Sequence, residues 1–297
     1  MTTEMPPPDH PPFLYGTAWK EDGTRRLTQI ALRQGFRGID TANQRKHYFE
    51  ATVGEGIADA MDQGLITRED IFVQTKFTHV RRQDKRLPYD PKAPVSEQVQ
   101  QSVASSREHL RMDYIDSLVL HGPTVGMGLA AADLDAWKAM EALHGEGTAG
   151  HLGISNVSLK QLQRFYKVAR IKPRFAQIRC YASRNWDRDM RDFCAANGIV
   201  YQGFSLLTAN RQVLNHADMK DFARRLGKTL AQVIFRYALQ GGMLPITGTR
   251  NAEHMAQDLD IFSFQLTVQD YRAIEAMADE GGGMPFRVTI KRPEEVK

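Results

Sequence analysis

Short runs rich in β-branched and aromatic residues recur along this chain, and most are followed by a longer stretch in which apolar positions return every three or four residues. The first pattern is that of a buried strand, the second that of an amphipathic helix. Runs of the first kind lie near Phe13–Thr17, Phe36–Asp40, Ile71–Lys76, Ile115–His121, His151–Ser155, Phe175–Ile178, Ile199–Phe204 and Leu244–Thr247. Helical patterns occur at Glu50–Gln63, Ser96–Arg111, Asp133–His144, Leu159–Ala169, Trp186–Asn197 and Leu230–Gln240, with Ser96 and Ser158 placed to cap two of them. Such alternation predicts an α/β fold with a parallel sheet, and eight units match a (β/α)8 TIM barrel, whose chemistry sits on the loops after the strands. A doubly wound sheet is the alternative. It usually carries a glycine-rich phosphate turn after its first strand, and nothing near Gly16 reads GxGxxG.

Composition narrows the class. A chain of 297 residues that is 42% hydrophobic and 25% charged can bury the core of one large domain. We expect a disordered proline-rich lead over residues 1–12, the barrel over 13–280 and a C-terminal tail over 281–297. The net charge of +4 is modest. Arg81, Arg82, Lys85 and Arg86 cluster in a long loop at about His79–Val95, but no basic amphipathic helix or nucleic-acid motif accompanies them, so a solvated loop and no nucleic-acid partner are expected. Cys180 and Cys194 have neither metal-ligand spacing nor the numbers for a disulfide framework, which fits a reducing compartment and no metal site. No apolar window is long enough to span a bilayer and the N-terminus does not read as a signal peptide. The expectation is a cytoplasmic protein without a membrane partner.

Candidate chemistry gathers at strand ends. Asp40 ends the second predicted strand, Lys76 the third and His121 the fourth, so three residues that handle protons or charge converge on one rim, and Tyr48 follows in the loop after Asp40. Each alone is explained by a turn, a snorkelling amine or a loop anchor. Together, on adjacent units, they point to a site. A buried ammonium needs a carboxylate such as Asp40 to stay charged. That ammonium is expected to bring a neighbouring tyrosine, with a reference pKa of about 10, closer to the working range. A neutral histidine offers one ring N–H to polarise an oxygen.

The segments Gly35–Gly54 (GFRGIDTANQRKHYFEATVG), Phe72–Phe77 (FVQTKF), Met112–Pro123 (MDYIDSLVLHGP) and Gly153–Val157 (GISNV) closely resemble the aldo-keto reductase family, in order, from about Leu14 to Ala278. The resemblance implies NADPH-dependent reduction of a small aldehyde or ketone by a monomer, with NADH possible as cofactor. Tyr48 would donate the proton, Lys76 paired with Asp40 would ease its ionisation, and His121 would orient the carbonyl. Another implied outcome is a cofactor-binding regulatory or scaffold protein of the same fold. Ser155, Asn156 and Gln177 match positions that bond the nicotinamide carboxamide, and Phe204 matches an aromatic that stacks on the ring. Gly16, Thr17, Ser205 and Leu207 complete that side, while Thr247, Gly248, Thr249, Arg250, His254 and Asp258 match the segment that clasps the adenosine end. Trp19, Phe77 and Gly122 are the implied substrate-pocket residues. Gly122 stands where a bulky tryptophan is common, which implies a roomier pocket.

The chain departs from the pattern in two places. Asn43–Phe49 supplies seven residues before Glu50 where five are usual, so the customary tyrosine position falls on Arg45 and Tyr48 comes three residues later. Tyr48 is the hydroxyl-bearing aromatic of the insertion, with His47 and Arg45 as the alternatives. Ile246 stands where many members carry a lysine, which leaves Arg250, Thr247, Thr249 and His254 to hold a 2′-phosphate. The long loop His79–Val95 is expected to govern substrate choice.

Overall fold

Eight parallel strands close into a barrel in sequence order. They are β1 (Leu14–Gly16), β2 (Gly38–Asp40), β3 (Phe72–Phe77), β4 (Ile115–Leu120), β5 (Ala149–Ser155), β6 (Phe175–Arg179), β7 (Val200–Phe204) and β8 (Leu244–Thr247). The barrel shuts where Leu14 of β1 pairs with Ile246 of β8. Around it run α1 (Thr24–Gln34), α2 (Glu50–Asp62), α3 (Val95–Leu110), α4 (Ala131–Gly145), α5 (Leu159–Val168), α6 (Arg188–Ala196), α7 (Arg211–Asn215), α8 (Ala217–Leu226), α9 (Leu230–Gln240), α10 (Ala252–Leu259) and α11 (Val268–Ala276). The computed structural model describes residues 9–277, so the expected tail and most of the expected lead lie outside the described residues. The last residues of the lead are held: Asp9 pairs with Arg174 at 2.7 Å and with His151 at 3.3 Å, and His10 meets the edge of Phe175.

The strand periodicity of two sorts side chains between two cores. Outward positions join the helices in one large apolar cluster, while Leu14, Phe72, Phe175, Leu244 and Ile246 form a separate cluster inside the barrel. Two residues further along the strands the interior turns polar. Gln74 donates to Asp40 Oδ1 at 2.7 Å and to Gln202 Oε1 at 2.9 Å, Gln202 returns a bond to Gln74 at 3.0 Å, and Gln177 donates to Asp40 Oδ1 at 2.9 Å. Buried amides of this kind are tolerated because each donor finds an acceptor. The belt separates the apolar floor from the rim, and one residue pair further up β3 stands Lys76.

Three helix starts differ from expectation, the first being α4, which begins at Ala131 rather than Asp133. Ser96 lies inside α3, because Pro94 adopts an extended conformation and the helix begins at Val95. The sixth helix begins at Arg188 rather than Trp186, since Asn185, Trp186 and Asp187 all have left-handed backbones (φ 54, 52 and 52°). Ser158 caps α5 as expected, accepting from the Gln161 N–H.

Candidate active site

The loop between β2 and α2 is fixed at both ends. At its far end the Glu50 carboxylate, buried, accepts from the hydroxyls of Thr75 and Ser106 and contacts His109 Nδ1 at 3.1 Å, tying the start of α2 to β3 and α3. Gly54 lets these helices close up, since a side chain there would collide with the His109 carbonyl. Within the loop, the Tyr48 and His47 amides donate to Gln44 O, and the His47 carbonyl accepts from the Trp19 N–H at 2.7 Å.

These bonds set the three candidate acids in different surroundings. Arg45 turns outward, 3.4 Å from Glu21 and over the Phe49 ring at 3.9 Å. His47 packs on Trp19 with ring centres 4.0 Å apart. Tyr48 alone of the three meets the charged rim: its ring lies edge-on to His121 at 5.9 Å, and Lys76 Nζ is 5.1 Å from its centre. The two extra loop residues are absorbed in the turn at Gln44, which delivers the later tyrosine to the rim.

Lys76 is buried and donates to Asp40 Oδ1 at 2.6 Å and to the Thr41 carbonyl at 2.7 Å. Burial pulls the ammonium below the usual lysine range, and Asp40 opposes this. The Tyr48 hydroxyl moves opposite to the expected direction: burial, and secondarily the Asp40 carboxylate, push it well above the ordinary tyrosine value. His121 is held well below its usual range by burial, then by Lys76 and Arg82, and is therefore neutral near pH 7. Its Nδ1 lies 2.7 Å from the Thr78 hydroxyl.

Tyr48 and His121 stand at one end of a cleft of about 990 Å³ that runs across the strand ends to His254 and Asp258 on α10. Gly16, Trp19, Asp40, Asn156, Gln177 and Phe204 face this cleft, as do Ser205, Leu207 and the turn Thr247–Arg250. Trp19, Asn156 and Ser205 adopt left-handed backbones (φ 61, 55 and 57°), a strained state for such residues that recurs where chain is shaped around a ligand. Asn156 donates to the His121 carbonyl at 2.8 Å and so joins the ends of β4 and β5.

Other expected site residues stand behind the cleft wall. Thr17 is buried and gives both its amide and its hydroxyl to the Asp40 carbonyl. Ser155 is buried and donates to the Gln177 carbonyl at 2.8 Å. Phe77, expected in the substrate pocket, points outward into the helix-side core, against His79 and Tyr89; one residue after inward-facing Lys76 it must face the other way. The space before Gly122 is occupied: a Cβ there would lie 2.5 Å from Arg82 Nη1. Arg82, expected in a solvated loop, is half-buried and lines the cleft, whereas Arg81 and Lys85 are exposed and Arg86 pairs with Asp84. From the long loop, Arg81 and Arg82 reach the main cleft; Tyr89 instead anchors the loop by donating to the Thr78 carbonyl at 2.6 Å.

Lys20 is the residue that sequence reasoning missed. It is buried, faces the cleft and donates to the Gly248 carbonyl, with no carboxylate partner among the described residues. Burial, with Arg250 adding repulsion, lowers its pKa to about 8. Arg250 itself donates to the Trp19 carbonyl. Across the same turn, Thr247 donates to Asp258 at 2.7 Å, and burial raises the Asp258 carboxyl to about 6. The signal for Lys20 was its place directly after Trp19 at the end of the first strand.

A sequence model of the Aldo/keto reductase family matches residues 15–279. The chain belongs to that family. It is 29% identical to the uncharacterized oxidoreductase YtbE of Bacillus subtilis over 269 residues, covering 90% of this chain and 89% of the relative. It is likewise 29% identical over 269 residues to the glyoxal reductase of Bacillus subtilis, covering 90% and 88%. Among solved structures, the Bombyx mori aldo-keto reductase AKR2E4 in complex with NADP superposes with a TM-score of 0.76 at 26% identity, covering 90% of this chain and 89% of that one.

Proposed function

We propose that the protein reduces aldehydes or ketones with NADPH, taking NADH less readily, and that Tyr48 donates the proton. The observation that carries this reading is the meeting of Tyr48, His121 and the Lys76–Asp40 pair at a cleft of about 990 Å³ that also reaches His254 and Asp258. Its far end fits phosphates: Lys20 is a buried cation without a carboxylate, and Arg250 stands beside it. When bound, NADPH supplies hydride to the carbonyl carbon.

The chain's own groups do the rest. Asn156 and Gln177 present amides to the cleft, which suits a carboxamide, and Phe204 offers a ring face. His121 Nδ1 lies 2.7 Å from the Thr78 hydroxyl, and in the tautomer that accepts from this hydroxyl Nε2–H is left for the carbonyl oxygen. Tyr48 then gives its proton to that oxygen as negative charge builds on it, and Lys76 stabilises the phenolate left behind. Because burial keeps Tyr48 protonated until this moment, the acid is loaded throughout the neutral range. We place this chemistry in a monomer in the cytoplasm. Two buried free cysteines, Cys180 and Cys194, suit a reducing compartment. Among the described residues no helix is long and apolar enough to cross a membrane.

NADPH oxidation, followed across a panel of aldehydes alongside a cofactor-binding titration, tests the reading. Binding with turnover is expected. Binding without turnover of any carbonyl would instead favour a regulatory or scaffold protein.

A further inference from the structure

Arg82 occupies the volume that a side chain at position 122 would otherwise fill. Its Nη1 and Cζ lie 2.5 and 3.0 Å from where a Gly122 Cβ would be, so the guanidinium covers the residue that directly follows His121. The group is held in place. Arg82 Nη2 donates to the Pro123 carbonyl at 3.1 Å, its amide donates to His79 O at 2.9 Å, and its carbonyl accepts from Gln44 Nε2 at 2.6 Å. Gln44 is the same residue that turns the chain toward Tyr48.

A half-buried guanidinium normally pairs with a carboxylate, because lost hydration must be replaced. Among the described residues no acid pairs with Arg82, and the side-chain bond found for it uses one of its five N–H donors. Its charge is felt at the site, where it helps keep His121 neutral. The cations facing the cleft divide by position. Lys20 and Arg250 contact the Gly248 and Trp19 carbonyls on the cofactor side and exposed Arg179 donates to the Ser205 hydroxyl, whereas Arg82 stands on the His121 side, with Arg81 and Lys46 exposed on the rim. Asp40 on that side is already neutralised by Lys76.

We propose that Arg82 selects carbonyl substrates that carry a carboxylate within a few bonds of the carbonyl, namely oxo acids and semialdehydes of short dicarboxylic acids. This rests on the reductase reading above and names its substrate class. The planar fork binds a carboxylate through two parallel N–H bonds, and doing so beside His121 leaves the neighbouring carbonyl oxygen between Nε2–H and the Tyr48 hydroxyl. The proposal also inverts the expectation for Gly122. The absent side chain does not enlarge the pocket; it admits a cation.

The test compares kcat/KM for 2-oxobutanoate and 4-oxobutanoate with kcat/KM for their methyl esters, using NADPH at fixed ionic strength. Native protein, Arg82→Gln and Arg82→Lys are measured, with circular dichroism and NADPH titration showing that each is folded. The native protein is expected to favour at least one acid over its ester by about tenfold or more. Arg82→Gln should lower that ratio by roughly ten- to a hundredfold, the worth of a charge-assisted contact, and Arg82→Lys should fall between the two. Native protein that reduces neutral aldehydes and esters as well as acids, or an unchanged ratio in folded Arg82→Gln, would overturn the selection while leaving the reductase reading intact. Absence of turnover with every carbonyl would overturn the reductase reading and the selection with it.

Discussion

Lys76 Nζ lies 5.1 Å from the centre of the Tyr48 ring although Tyr48 stands three residues later in the loop after Asp40 than the customary tyrosine position. The loop takes up the difference by folding back on Gln44, and the residue at the customary spacing, Arg45, turns away to Glu21 and Phe49. Arg45→Ala should therefore keep turnover within about threefold of native, because surface contacts of this kind contribute little. A kcat lowered a hundredfold or more in that variant would place the acid at the wrong residue.

Lys76→Met should destabilise the protein by about 3–5 kcal/mol, since it leaves the Asp40 carboxylate buried without its cation. Adding Asp40→Asn to that variant should recover part of the loss, because no uncompensated charge then remains. Urea denaturation of the two single variants and the double variant checks this through the coupling between them. Additive losses would contradict the pairing.

Cofactor affinity should depend on pH through Lys20. Its pKa of about 8 in the free protein is set by burial and by Arg250, and a bound phosphate favours the ammonium and raises it. Below about 8 the residue is already charged and affinity is flat. Above that value binding must take up a proton, so affinity falls by up to about tenfold per pH unit until the bound-state pKa is reached. Lys20→Met should bind more weakly and lose this slope, as measured by fluorescence titration of NADPH between pH 6.5 and 9.5.

NADPH should bind more tightly than NADH, with Arg250 contributing to the 2′-phosphate in place of the lysine that Ile246 replaces. Arg250→Ala should reduce the preference roughly ten- to a hundredfold. An unchanged ratio of the two dissociation constants would show that His254 or Lys20 carries the discrimination.

The barrel was legible because buried parallel strands are nearly continuous apolar runs, and all eight expected strands fall within two residues of the observed ones. Several helices were not. On α1 the buried face includes Thr24 and Thr28 beside Leu27, Ala31 and Leu32, so hydroxyls interrupt the apolar period. On α11 the buried positions are Asp270 and Ile274, and the helix start is fixed by a Thr267–Asp270 capping box rather than by an apolar stripe. Asp40, Lys76 and His121 could be placed at the rim because each lies within one residue of a strand's C-terminal end. The places of Phe77 and Arg82 depend on strand phase and loop packing, and the amide belt of Gln74, Gln177 and Gln202 joins residues 128 apart in sequence, which no local pattern reports.

The most direct measurement is NADPH oxidation by native protein and by Tyr48→Phe, with a shared aldehyde substrate and NADPH affinity determined for both. Removing the hydroxyl while keeping the ring should lower kcat by a hundredfold or more, the usual worth of a positioned general acid, with cofactor affinity changed by less than about threefold. Near-native turnover by Tyr48→Phe, with cofactor binding intact, would contradict the assignment of Tyr48 as proton donor.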